Sequence, residues 1–369
     1  MAPPKKAALS RLLKLDGAIQ ADNRKNIHSE VISTRSPAFN FIFGNGQGLP
    51  KGYSLLLYGP PRGGKSILLN EMIGWLHQSD PEAIAIKFNT EFREKAQLDD
   101  DLMKMYGIDP DRLISYEVNA PNQIFDRIEK EIAAEIQDGL KVGLIGIDSI
   151  NGVQGRRSLN AESVDVQQIG DHALTIQTGL QRILPCQRKG NYGLVLTSHI
   201  RAEMDMAKQM RGQKVRPAVS YGLQHHCEYY VYVEPLLSKE GKTDLLGAKF
   251  VDESVTDFRD NGEITGHKVV AKMMDSSMGP KGRVGMFTFD YKKGIINQHE
   301  EVFTLGVNRG VIDKPNNLSY AFGSEKWTGK PAMLEALKSN PQLCDAILHK
   351  LNAMDLAGQI KPLEEEITE

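Results

Sequence analysis

Eight consecutive residues, GPPRGGKS at 59–66, have the spacing of a phosphate-binding loop. Gly59, Gly63 and Gly64 permit a tight turn, completed by Pro60, Pro61 and Arg62, whose backbone N–H groups face phosphate oxygens. A helix opening at the end of such a turn adds unpaired N–H groups and its positive pole. Lys65 brings a charge toward the β- and γ-phosphates, and Ser66 offers a hydroxyl to Mg2+. The plainer alternative is a glycine-rich turn with a surface lysine. The complete pattern, set between the strand-like SLLLY and the helix-like ILLNEMIGWLHQ, argues against it.

Hydrolysis needs more than a phosphate cradle. Asp148 ends the apolar run VGLIGID, where a carboxylate can hold the metal through water, with Ser149 beside it. Glu91 closes IKFNTE, expected next to the strand that feeds the loop. It is the candidate to orient or deprotonate the attacking water, and Glu94 is its nearest competitor. His199 ends YGLVLTSH, a position from which a polar group can sense the γ-phosphate and report to the loop that follows. Each has a bland alternative: a solvated strand-end acid, a helix-capping acid, a satisfied histidine. The nine histidines form no metal pattern, and nothing points to a serine or cysteine nucleophile.

The elements that must position these residues alternate. Strands are expected at 54–58, 83–88, within RLISYEV, at 141–149 and at 192–199. Helices are expected at 67–78, over AQLDDDLMKMYG with Gly107 as its stop, from Pro121 to Gly139, and at about 165–184. That βαβ rhythm implies a mainly parallel, helix-covered sheet. After residue 228 the rhythm changes. YYVYVEP, HKVVAKMM and RVGMFTFDY read as strands joined by turns, an antiparallel extension of the sheet. Hydrophobic residues make up 40% and charged residues 25%, a globular composition with ample core, and a net charge of -2 neither favours nor excludes nucleic acid. Cys186, Cys227 and Cys344 are far apart, so neither a disulfide framework nor a zinc cluster is expected. The opening MAPPKKAALSRLLKLDGA is basic without a sustained apolar run, so no signal peptide, membrane span or membrane partner is expected, and the cytoplasm is the expected location.

With these segments in view the chain resembles the RecA-family recombinases, and among them the phage branch typified by UvsX. VISTRSPAFNFIFG with GLPKG resembles the family's lead-in, NTEFRE its glutamate segment, GLIGIDSINGV its metal-binding strand, and LVLTSHIR its phosphate-sensing strand end. The phage proteins carry histidine there, as at His199, which would place the protein in a host cytoplasm. LGVNRGVIDKPNNLSYAFGSEKWTGKPAMLEALKSNPQL resembles the family's C-terminal lobe, so the likeness runs over about 28–355. It implies an α/β RecA-like ATPase core at 31–294, an N-terminal oligomerisation helix and linker at 1–30 with Ile27 as a candidate anchor, a small α+β lobe at 295–355, and an acidic tail at 356–369. It also implies that Lys268 or Lys272 reaches ATP bound to the neighbouring subunit.

The resemblance further implies two DNA-holding loops, at 151–166 and 199–222. In the second, Arg201, Lys208, Arg211, Lys214 and Arg216 outnumber Glu203 and Asp205 by three, enough to neutralise phosphates without reading bases. The first carries Arg156 and Arg157, partly offset by Glu162 and Asp165. Met204, Met206 and Met210 suit either base contacts or interface packing. The implied activity is an ATP- and Mg2+-dependent filament on single-stranded DNA, or a ring without DNA, that pairs with homologous duplex and exchanges strands. A mediator and a single-strand-binding protein are the implied partners. The alternatives are a hexameric helicase of the same core and a mediator that does not hydrolyse ATP.

Overall fold

The computed structural model describes residues 30–44, 47–93, 98–159, 161, 170–210, 215–219, 223, 226–236, 241–243, 249–251, 258–260, 263–279, 281–316 and 318–359. The segment 1–29 with Ile27, Glu94, most of 160–169, Arg211, Lys214 and the tail beyond 359 lie outside the described residues.

The apolar runs form strands that stop where glycine or polar residues intervene. They are β1 (Ser54–Tyr58), β2 (Ile84–Asn89), β3 (Leu113–Glu117), β4 (Val142–Asp148) and β5 (Gly193–Ser198). Then come β6 (Tyr229–Pro235), β7 (Glu263–Ser276), β8 (Val284–Asp290) and β9 (Gly294–Ile296). Hydrogen bonding orders them β9-β8-β7-β6-β1-β5-β4-β2-β3. From β6 to β3 the neighbours run parallel; β7, β8 and β9 extend the sheet antiparallel. This is an α/β fold with a mixed, largely parallel central sheet, consistent with a RecA-like P-loop ATPase core.

One expectation about this order is corrected. β2, which leads to Glu91, does not lie beside β1, because β5 and β4 stand between them. Burial gives the reason. β4 and β5 are buried along their whole length and take the centre, while β3, with three exposed residues, takes the edge. Nor does Glu91 close its strand. β2 ends at Asn89, whose Oδ1 accepts the Glu91 N–H at 3.1 Å and turns the chain.

Period-two alternation separates two cores. Leu55, Leu57, Val195 and Val231 face the helix Lys65–Ser79. Leu56, Tyr58, Ile145, Ile147, Leu194 and Leu196 face the helices Asn122–Ile132 and Asp171–Gly190. Each such buried side chain contributes about 1.5–3 kcal/mol of transfer free energy. Two helices differ from the sequence reading. The first eleven residues after Pro121 are π-type before Ala133–Gln137 turns α. The next helix, described from Asp171, runs past 184 through Pro185 to Gly190, because Ile176, Leu180, Ile183 and Gln187 are buried on both sides of the proline and outweigh its missing N–H. Gly107 does stop the helix Asp100–Tyr106, in the left-handed region at φ 74.

The remaining chain packs on its own cluster. The helices Gln298–Asn308, Lys330–Ser339 and Pro341–Gln359 flank an antiparallel sheet of Asp313–Asn316, Ser319–Phe322 and Glu325–Thr328. Val302, Phe303, Leu337, Ile347 and Leu351 are buried there with Ala38 and Phe41. The buried Glu301 ties this cluster to the lead-in helix Pro37–Phe41, its Oε2 accepting Ser36 Oγ–H at 2.6 Å and Ala38 N–H at 3.0 Å. Among the described residues no helix is long and apolar enough to cross a membrane.

Candidate active site

Parallel strands share one carboxyl edge, and here β1, β2, β4 and β5 end at Tyr58, Asn89, Asp148 and Ser198 along it, the edge where open α/β sheets bind ligands. The loop 59–64 follows β1 with its glycines under two different constraints. A Cβ on Gly59 would lie 1.9 Å from the Val233 carbonyl oxygen of β6, so only hydrogen fits. Gly64 caps the helix Lys65–Ser79 at φ 99, a region that disfavours side chains. Pro60, Pro61 and Arg62 form the outer arc, and Arg62 itself has a positive φ of 59. Lys65 is buried at the first helical position, with Nζ donating to the carbonyls of Gly59 at 3.1 Å and Pro60 at 2.8 Å. Burial pushes its pKa down, against the upward pull of the Asp148 and Glu91 carboxylates. Ser66 follows, half-buried in the first turn.

Asp148 and Glu91 reach this edge through a polar lattice. Asp148 Oδ1 accepts the Thr197 hydroxyl at 2.5 Å, while the buried Oδ2 has no hydrogen-bond partner among the described residues. Thr90 bridges β2 to β4: its N–H donates to the Asp148 carbonyl at 3.0 Å, its hydroxyl donates to the Ser149 carbonyl at 2.6 Å, and the same hydroxyl oxygen accepts Ser149 N–H at 3.0 Å. Ser149 Oγ in turn donates to Glu91 Oε1 at 2.9 Å. His199 Nε2 lies 3.1 Å from that same oxygen, and Arg93 lies 3.6 Å from Oε2. The glutamate is thus held from three sides while its carboxyl stays about a quarter exposed.

The lone Asp148 oxygen and the Ser66 hydroxyl fit a divalent cation shared with substrate phosphates. Such an ion uses one or two protein groups rather than a cage, and among the described residues no group of three His, Cys, Asp or Glu is placed to hold a metal alone.

The remaining candidates spread outward. His199 opens the second loop, whose arms Ile200–Ala202 and Val215–Pro217 pair antiparallel with Arg201 opposite Arg216. Arg201 is exposed, Arg216 half-buried, and Lys208 lies on the helix Met206–Met210, whose three methionine neighbours in sequence, Met204, Met206 and Met210, are largely exposed. Arg156 and Arg157 are exposed on the short helix Arg156–Leu159, anchored where Asp171 accepts the N–H groups of Arg157 and Ser158 at 2.9 and 2.8 Å. Lys268 and Lys272 share the face of β7 opposite Val269 and Ala271, which pack toward the helix Lys65–Ser79, so they are not brought to Lys65, Glu91 and Asp148 of the same chain. Lys268 lies at the carboxyl edge of β6 and lines a cavity of about 360 Å³ with Glu301 and Lys330; Lys272 is exposed further along the strand.

Sequence reasoning missed Thr90, Thr197 and Asn151. Asn151 Oδ1 accepts Ser198 Oγ–H at 2.9 Å and His199 N–H at 2.8 Å, and its Nδ2 donates to the Ala218 carbonyl at 2.8 Å. The available signal was polarity at the ends of otherwise apolar runs, in FNTE, DSIN and LTSH.

No protein-family model matches the chain. It is similar to Protein RecA of Azospirillum lipoferum, 24% identical over 349 residues, covering 94% of this chain and 87% of the relative. Protein RecA of Psychrobacter cryohalolentis is 25% identical over 360 residues, with 95% and 91% covered. That of Oleidesulfovibrio alaskensis is 22% identical over 335 residues, with 90% and 85% covered. Across most of its length the chain is therefore homologous to RecA proteins at 22–25% identity.

Proposed function

We propose that this protein is a DNA-dependent ATPase that coats single-stranded DNA as a helical filament and carries out homologous pairing and strand exchange. The observation that carries the reading is the bond between His199 and Glu91. The candidate base and the root of the basic second loop meet in one hydrogen bond, so a change at the phosphates is felt by both.

In this reading ATP lies over Gly59–Ser66, with the Lys65 ammonium exchanging its two carbonyl partners for phosphate oxygens. Ser66 and Asp148 would hold Mg2+, which would supply charge neutralisation at the phosphates. Glu91 orients and deprotonates the attacking water, while Ser149 and His199 fix its carboxyl. Lys268, at the carboxyl edge, is the better placed of the two lysines to close a neighbour's site. Arg156, Arg157, Arg201, Lys208, Arg211, Lys214 and Arg216 neutralise DNA phosphates, and base pairing supplies sequence specificity. Residues 1–30 join subunits, 31–294 form the catalytic core, 295–355 form a C-terminal lobe, and 356–369 form an acidic tail. Both single- and double-stranded DNA are substrates, in the cytoplasm of a host cell, with a loading factor and a single-strand-binding protein as partners.

The test is ATP turnover with and without single-stranded DNA, followed by strand exchange between a circular single strand and a homologous linear duplex. DNA-stimulated turnover, lost in Glu91→Gln, with joint molecules formed, is the expected result. Turnover with unwinding but no joint molecules selects the helicase. ATP binding without turnover selects a mediator and ends the catalytic reading.

A further inference from the structure

Asn151 lies two residues beyond Ser149, at the mouth of β4, and its amide joins three partners at once. Its oxygen accepts from Ser198 Oγ and from the backbone N–H of His199; its nitrogen donates to the backbone carbonyl of Ala218. Backbone partners settle which end of the amide is which, since an N–H only donates and a carbonyl only accepts. The His199 carbonyl also accepts Ala218 N–H at 2.8 Å. Both ends of the 199–218 segment are therefore gathered at one amide, next to the histidine that touches Glu91.

We propose that Asn151 is a positioning residue that couples the nucleotide site to the segment 199–218, by holding the backbone of His199 and the return arm at Ala218 in one rigid bracket. The bracket works because it sets two distances with one planar group. If the His199 ring moves with the phosphates, its backbone pivots on Asn151, and the same amide carries the displacement to Ala218. Without the bracket, the ring can move while the return arm stays behind. Asparagine is required: aspartate keeps the acceptor side but sets a carboxylate against the Ala218 carbonyl, and alanine removes both sides. That the moving segment acts on DNA rests on the function proposed above; the bracket itself does not.

The experiment measures backbone hydrogen exchange across 199–218 in the full-length protein, with and without a saturating non-hydrolysable ATP analogue, for wild type, Asn151→Ala and Asn151→Asp. DNA-stimulated turnover is measured in parallel, and melting temperatures confirm that each variant is folded. In wild type the analogue is expected to slow exchange at both 199–202 and 215–218. In both variants the response at 215–218 is expected to fall by about tenfold, within the range of single coupling free energies, while peptides over 59–66 still respond. DNA stimulation should fall with it. A variant whose return arm responds as wild type does, or a wild type whose return arm ignores the analogue, overturns the bracket. A wild type whose return arm responds but whose turnover ignores DNA leaves the bracket standing and sinks the recombinase reading instead.

Discussion

The carboxyl edge of β1, β2, β4 and β5 and the C-terminal cluster around Glu301 both bury polar side chains, but they treat them in opposite ways. At the sheet edge Thr90, Asp148, Ser149 and Thr197 bond to one another, and Ser198 bonds to Asn151, so side-chain bonds tie together the ends of three strands. Beside the C-terminal cluster the buried Glu301 has one oxygen doubly bonded and the other buried without a partner among the described residues. Cross-bonded polar groups hold a reactive arrangement; a solitary buried acid holds two pieces of chain together at a cost that depends on its charge. Chemistry should therefore fail at the first region without loss of stability, and stability should fail at the second without loss of chemistry.

The largest effect is expected from Glu91→Gln, which should lower ATP turnover by about 10²–10⁴-fold, the range for losing a general base. Its melting temperature should stay near wild type, because the carboxyl is partly exposed. A fall in phosphate release below about tenfold would hand the role to another residue. Next comes Ile347→Ala. The side chain is fully buried in the C-terminal cluster, and its loss should cost about 2–5 kcal/mol in urea unfolding. Turnover per folded molecule should not change; if it drops in proportion, the two regions are not separable.

The Glu301 carboxyl offers a sharper test. Burial pushes its pKa from 4.5 up to about 8, against the hydrogen bonds from Ser36 and Ala38 that pull it down. The folded chain thus holds this proton more tightly than the unfolded chain does. The associated stability is fully present below pH 4.5 and is lost as pH rises through 8. Glu301→Gln should remove that slope and exceed wild type by about 4–5 kcal/mol at pH 8.5, an order-of-magnitude figure from linkage. Unfolding curves that fall together with pH would mean the acid is already charged in the fold. The smallest effect is Arg201→Ala, an exposed cation on the second loop. Single-strand affinity should weaken about three- to tenfold, with the salt slope reduced by about 0.7, one phosphate contact.

These regions also differ in how far the sequence announced them. Around the phosphate loop the chemistry is local: GPPRGGKS carries its own turn, charge and hydroxyl, and its flanking strand and helix fall where the apolar runs begin and end. Asp148 and His199 were legible for the same reason, as polar residues that terminate apolar strands. What connects them was not. Strand order depends on which strands bury most surface, so β2 was assigned the wrong neighbour. The bonds of Thr90 to Ser149 and Thr197 to Asp148 join residues about fifty positions apart, and no spacing rule reports them. Asn151 had no motif at all; its meaning arises only when the chain returns at Ala218. Nor did Pro185 end its helix, because burial on both sides overrode a local rule.

The place of β6 bears on how this chain can be divided. The rhythm of the sequence changes at residue 228, which invites a cut there. Yet β6 is hydrogen-bonded parallel to β1 on one side and antiparallel to β7 on the other. A fragment ending at 228 would bare the long edge of Leu55, Leu56 and Leu57, an invitation to pair with other fragments and aggregate. It would also remove the Val233 carbonyl that lies against Gly59. For anyone splitting, tagging or complementing this protein, the seam visible in the sequence is a rib of the sheet, and the phosphate loop loses its backing when that rib is taken away.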